Sequence, residues 1–116
     1  MKTVAVTVGI PVRDLEVAVA WYRHAFDLGE PDLRPMDGLA EFDLGSFWLQ
    51  LAVSPDHAGG EGISLNISVE SAAAEQKRFA GLGLDVTEVE RFEGAVEFFQ
   101  LSDPDGNTIG FVTELE

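Results

Sequence analysis

The stretch that most constrains this chain is Ser102-Asp-Pro-Asp-Gly-Asn-Thr-Ile-Gly-Phe111. Pro104 pre-sets φ for a tight turn, and Gly106 can take the left-handed conformation that closes it. Asp103 and Asn107 can tie their side chains back to the local backbone. An apolar run from Ala95 to Leu101 precedes the turn, and Thr108 to Leu115 follows it. Two such runs about a turn of this chemistry predict a β-hairpin.

Upstream, Thr3 to Ile10 alternates and reads as a strand, with Val4, Val6, Val8 and Ile10 on one face and Thr3, Ala5, Thr7 and Gly9 on the other. Asp14 is a good N-cap for a helix running to about Phe26. Leu15, Ala18, Val19, Tyr22 and Phe26 make its apolar stripe, with His24 on the solvent side and Trp21 at the stripe's edge. Three short strands are expected next, at about Pro31 to Met36, Leu39 to Leu44 and Phe47 to Val53, separated by the turn pairs Asp37-Gly38 and Gly45-Ser46. In the last of them Phe47, Leu49, Leu51 and Val53 share one face, and Trp48, Gln50 and Ala52 the other. Ser54 to Gly62 reads as a linker.

The second half repeats this order. Ile63 to Val69 is a strand with Ser64, Asn66 and Ser68 on its polar face. Ser71 caps a helix through Ala80, anchored mainly by Phe79 and Leu82, and Gly81 or Gly83 stops it. Leu84 to Phe92, Ala95 to Ser102 and Thr108 to Leu115 supply three more strands. Thr7-Val-Gly-Ile-Pro-Val-Arg-Asp14 lines up with Ser64-Leu-Asn-Ile-Ser-Val-Glu-Ser71, so the chain reads as an internal duplication, strand-helix-strand-strand-strand twice. One face of each strand is apolar and packs on the helices, which leaves the more polar faces to line an open concavity.

Doubling of this kind, the helix start Val12-Arg-Asp-Leu-Glu-Val-Ala-Val-Ala-Trp-Tyr22 and the Asp103 to Asn107 turn together resemble the vicinal oxygen chelate superfamily. That superfamily holds glyoxalase I, extradiol dioxygenases and the bleomycin- and fosfomycin-resistance proteins. The resemblance covers the whole chain and implies an α+β fold of tandem βαβββ modules, about 1–53 and 63–116. They would form a curved, mostly antiparallel open sheet with helices on the convex side. It also implies where a metal would sit in metal-dependent relatives: on Thr7 and Ser64 of each module's first strand, and on Gln50 and Gly110 of each last strand. Of these only Gln50 is of a ligand type, and an amide, two hydroxyls and a glycine cannot hold a divalent ion. No metal and no cofactor are expected.

Other catalytic constellations are thin. Ser46, in Leu-Gly-Ser-Phe, lacks the second glycine and the strand-turn-helix context of a nucleophile elbow, and Gly81-Leu-Gly83 reads as a helix stop. Glu41, Asp43 or Glu114 could serve as a carboxylate base, against the plainer reading that they are solvated. The binding chemistry is richer: Trp48 and Phe98 offer flat apolar surface, while Gln50, Asn66, Gln100, Thr7 and Ser64 offer donors and acceptors, with Gly110 among them. Trp48 has a competing reading, as a dimer contact.

Composition narrows the partners. In 116 residues there are 7 basic and 21 acidic side chains, a formal charge of −14, which repels nucleic acid and anionic membrane surfaces and favours a cationic ligand. The absence of cysteine removes disulfides and thiolate chemistry. No run reaches the length of a membrane span, and Pro11, Arg13 and Asp14 interrupt the apolar start before any signal-peptide cleavage site, so a cytoplasmic protein is expected. A homodimer is also expected, as the resemblance implies. Three functions remain open: a metal-independent protein that sequesters a small, cationic aromatic molecule, a glyoxalase- or dioxygenase-like metalloenzyme, and a metal-free isomerase or cyclase using a cleft carboxylate.

Overall fold

The computed structural model describes residues 1–60 and 65–115. Among them lie eight strands and two helices in the order β1 (Thr7–Val12), α1 (Leu15–Phe26), β2 (Leu39–Asp43), β3 (Trp48–Val53), β4 (Leu65–Ser68), α2 (Ala72–Gly81), β5 (Asp85–Val86), β6 (Glu90–Phe92), β7 (Val96–Ser102) and β8 (Thr108–Glu114). The architecture is α+β with open sheets. It forms two compact units, Met1–Gly60 and Glu61–Glu116.

In the first unit the sheet order is β1-β3-β2, with β1 parallel and β2 antiparallel to β3. The strand expected from Thr3 instead begins at Thr7 and runs on through Pro11 and Val12. The ladder explains the shift. Trp48 N–H donates to the Val6 carbonyl at 2.8 Å and Ser54 N–H to the Val12 carbonyl at 2.9 Å. Even-numbered residues of β1 therefore turn their backbone groups to β3, and the missing amide hydrogen of Pro11 falls on the outer edge, where no ladder bond is lost. Val8, Ile10, Val12, Ala40, Phe42, Leu49 and Leu51 share the face that packs on Ala18, Val19, Tyr22 and Ala25 of α1. Asp14 caps α1, its side chain accepting from Val17 N–H at 3.1 Å.

The strand expected over Pro31 to Met36 is reduced to a single bridge, Leu33 to Glu41. Pro31 and Pro35 flank it and can donate no ladder bond. Part of the expected linker is built into the first unit: Arg13 reaches the Ala58 carbonyl at 2.9 Å, and Ala58 is buried.

In the second unit the path is β4-β8-β7-β5, with β6 also on β7. First and last strands are again parallel neighbours, as in the first unit. Ser71 caps α2, accepting from Ala74 N–H at 3.1 Å. Phe79 anchors α2 as expected, at 1% exposure, but Leu82 does not, at 38%. Leu82 is the C-cap and follows the last helical residue, so it leaves the stripe, and Ala72 is the second buried contact. Phe79 lies 6.0 Å from Phe99 and 5.1 Å from Phe111, and these two stack at 5.2 Å. The long strand expected over Leu84 to Phe92 splits into β5 and β6. Between them Thr87 bonds β7 through both its backbone and its hydroxyl: its N–H donates to the Gln100 carbonyl at 2.9 Å, and its Oγ1 accepts from Gln100 N–H at 2.8 Å.

The Asp103 turn is as the sequence predicts. Gly106 has φ 88°. Asp103 Oδ1 accepts from the backbone of Asp105 at 3.0 Å and of Asn107 at 2.8 Å, and Oδ2 accepts from Asn107 Nδ2 at 2.8 Å.

Candidate functional site

Pairing sets the polar faces row by row, because directly paired residues point to the same side of a sheet. In the first unit one row is Thr7, Trp48 and Asp43, and the next is Gly9, Gln50 and Glu41. Thr7 is thus brought beside Trp48, two residues along from Gln50. Gln50 Nε2 donates to Glu41 Oε2 at 2.7 Å, a half-buried pair. Asp43 has other work: its Oδ1 accepts from Gly45 N–H at 2.9 Å and closes the β2–β3 turn.

In the second unit the matching row is Asn66, Gly110 and Gln100, and beside it run Ser68, Val112 and Phe98. Asn66, Gly110, Gln100 and Phe98 are therefore brought together on one face. Ser64 lies outside the described residues. Glu114 is also on this face, opposite Val96, and is exposed. Sequence reading missed Phe92. Its pairing with Val96, and that of Glu90 with Phe98, bring its ring parallel to Phe98 at 5.8 Å. The period-two alternation along β6 was the available signal. Next to it, Arg91 has its pKa pushed up by a hydrogen bond and charge from Glu93, and further by Glu97.

The two rows are related by the duplication. Gly9 and Asn66 occupy equivalent places on the first strands, Gln50 and Gly110 on the last. Each row therefore pairs one amide side chain with one glycine, with the roles exchanged. A Cβ built on Gly9 would meet Gln50 Oε1 at 3.4 Å, an ordinary contact, whereas one built on Gly110 would overlap Asn66 Oδ1.

The donors implied for a metal do not fit one. Gly110 has no side chain, and the Asn66 amide fills the space where one would begin. Thr7 offers a hydroxyl, and the amide of Gln50 is bonded to Glu41. His24 and His57 are exposed on other elements, with His57 Nδ1 2.8 Å from Ser54 Oγ. Among the described residues no three His, Asp or Glu side chains form a group that could hold a metal ion.

Against protein-family models, residues 4–111 match the Glyoxalase/Bleomycin resistance protein/Dioxygenase superfamily. The chain belongs to this superfamily. Among curated proteins, none matches it. Solved structures agree with the assignment. A glyoxalase/bleomycin resistance protein from Catenulispora acidiphila DSM 44928 is 26% identical with a TM-score of 0.81, covering 97% of this chain and 100% of its own. The antibiotic-binding protein TnmS3 from Streptomyces sp. CB03234 is 19% identical, with a TM-score of 0.80 and 98% of each chain covered. A lactoylglutathione lyase from Agrobacterium tumefaciens is 20% identical, with a TM-score of 0.76, covering 97% of this chain and 95% of its own. At those two identities the likeness is one of fold. No helix among the described residues is long and apolar enough to cross a membrane.

Proposed function

We propose that this superfamily member is a metal-independent small-molecule binding protein that sequesters a small, cationic aromatic ligand. The observation that carries the reading is Gly110, where a side chain would overlap the Asn66 amide. A row that ends in two neutral amides and a glycine suits hydrogen bonding to an organic molecule better than coordination of an ion. The proposed contacts are Thr7, Trp48 and Gln50 on the polar face of the first unit and Asn66, Phe98, Gln100 and Gly110 on that of the second, each face taken by itself, with Ser64 proposed from the sequence alone. The antibiotic-binding Streptomyces neighbour supports binding without turnover, and the net charge of −14 supports a cation.

A planar ligand on the Trp48 indole would gain about 0.5–1.5 kcal/mol beyond simple burial. Planar cationic aromatics are expected to quench the tryptophan fluorescence, and Trp48→Ala to weaken their binding far more than Trp21→Phe. Equal affinity in Trp48→Ala would move Trp48 to a subunit contact. Elemental analysis is expected to find no stoichiometric Zn, Ni, Mn or Fe. Such a metal, removable together with an activity, would favour the lyase or dioxygenase reading, a lyase being the activity of the Agrobacterium neighbour. Metal-free turnover lost in Glu41→Gln would favour the isomerase or cyclase reading instead.

A further inference from the structure

We propose that Glu41, oriented by Gln50 beside Trp48, is the specificity-determining carboxylate of this site and selects planar ligands bearing an amidinium or a primary ammonium group. The inference rests on the binding function proposed above and adds the group that the ligand must carry.

The geometry points to a cation in three ways. The Gln50 Nε2–Glu41 Oε2 bond, at 2.7 Å, fixes which way the amide faces. Its carbonyl oxygen is turned to the Gly9 side, 3.4 Å from where a Cβ would stand. Gln50 Oε1 and Glu41 Oε1 are then two acceptors in one row, which calls for a ligand with at least two N–H donors.

Glu41 also has no counter-charge of its own. It takes part in none of the ion pairs among the described residues: Arg23 is bonded to Glu30 at 2.8 Å and Arg34 to Glu16 at 2.9 Å. Of the neighbouring carboxylates, Asp43 Oδ1 accepts from the Gly45 amide and Asp32 Oδ2 from the Asp43 amide. A half-buried carboxylate left uncompensated by the protein favours a cation supplied by the ligand.

Finally, Trp48 follows the pleat two residues from Gln50 and pairs with Asp43, so its ring and the acceptor pair share one face. A flat ring on the indole would carry a substituent along the sheet to Glu41. The equivalent row of the second unit, Asn66, Gly110 and Gln100, holds no charge.

The test uses 2-naphthamidine and its neutral isostere 2-naphthamide, titrated against the full chain carrying Trp21→Phe so that fluorescence reports Trp48. The amidine is expected to bind about tenfold more tightly than the amide, the size of one charge-assisted hydrogen bond. Glu41→Gln, which keeps shape and a hydrogen-bonding partner, is expected to abolish that preference. The exchange Glu41→Gln/Gln50→Glu moves the charge across the row and is expected to restore it. A preference unchanged in Glu41→Gln overturns the proposal, as does failure of the exchange to restore it. Equal binding of both probes by the protein with Glu41 intact overturns it too, while leaving the binding function standing. If neither probe quenches, both fall.

Discussion

At the scale of single residues, Gly110 and Asn66 divide one small volume between them. The backbone of Gly110 does not lie in the left-handed region, so its role is steric and not conformational. Gly110 is buried but Asn66 is exposed, so Gly110→Ala must swing the Asn66 amide out toward solvent, which costs on the order of 1 kcal/mol. Adding Asn66→Ala is expected to recover most of that loss in urea unfolding, giving a positive coupling in a double-mutant cycle. Additive losses would mean that the two side-chain positions do not share the space.

At the scale of elements, the Asp103 turn sets the register of β7 on β8. Asp103 is 6% exposed, and its carboxylate accepts from two backbone amides and one side-chain amide. Asp103→Ala would orphan those three donors, at about 1–3 kcal/mol for each that water does not reach. The two helices are held by lighter devices. Asp14→Ala and Ser71→Ala remove one cap each and should cost about 1 kcal/mol apiece. Thermal unfolding that ranks the caps above the turn would contradict this ordering. Phe79 belongs with the turn in importance, since its ring meets both Phe99 and Phe111.

At the scale of the molecule, each unit presents a polar face with aromatic side chains, Trp48 on one and the Phe92–Phe98 stack on the other. Faces of this kind are commonly covered by a symmetric second copy, and dimerisation is proposed on that ground. Static light scattering is expected to give twice the 12.6 kDa chain mass at micromolar concentration. A monomer well above that concentration would rule the dimer out. The formal charge of −14 opposes self-association, so the dimer should strengthen as salt is added.

Local chemistry alone determined much of this protein. The Asp103 turn, both helix caps and the alternation of β3 and β7 follow from side chains acting within a few positions of themselves, so they were legible in order along the chain. The doubling was legible for the same reason, since period and cap recur together at Thr7 and Ser64. What needed the tertiary structure was everything decided between strands. The start of β1 moved to Thr7 because its partner β3 begins at Trp48, and the first of the three expected strands shrank to one bridge where prolines removed its donors. Leu82 left the core where α2 ended, and Phe92 joined Phe98 through a pairing that no single strand reveals. The Gln50–Glu41 bond and the Asn66–Gly110 exclusion are of the same kind. Each depends on which residues stand opposite, a register set by cross-strand hydrogen bonds and not by the residues on either side of them in the chain.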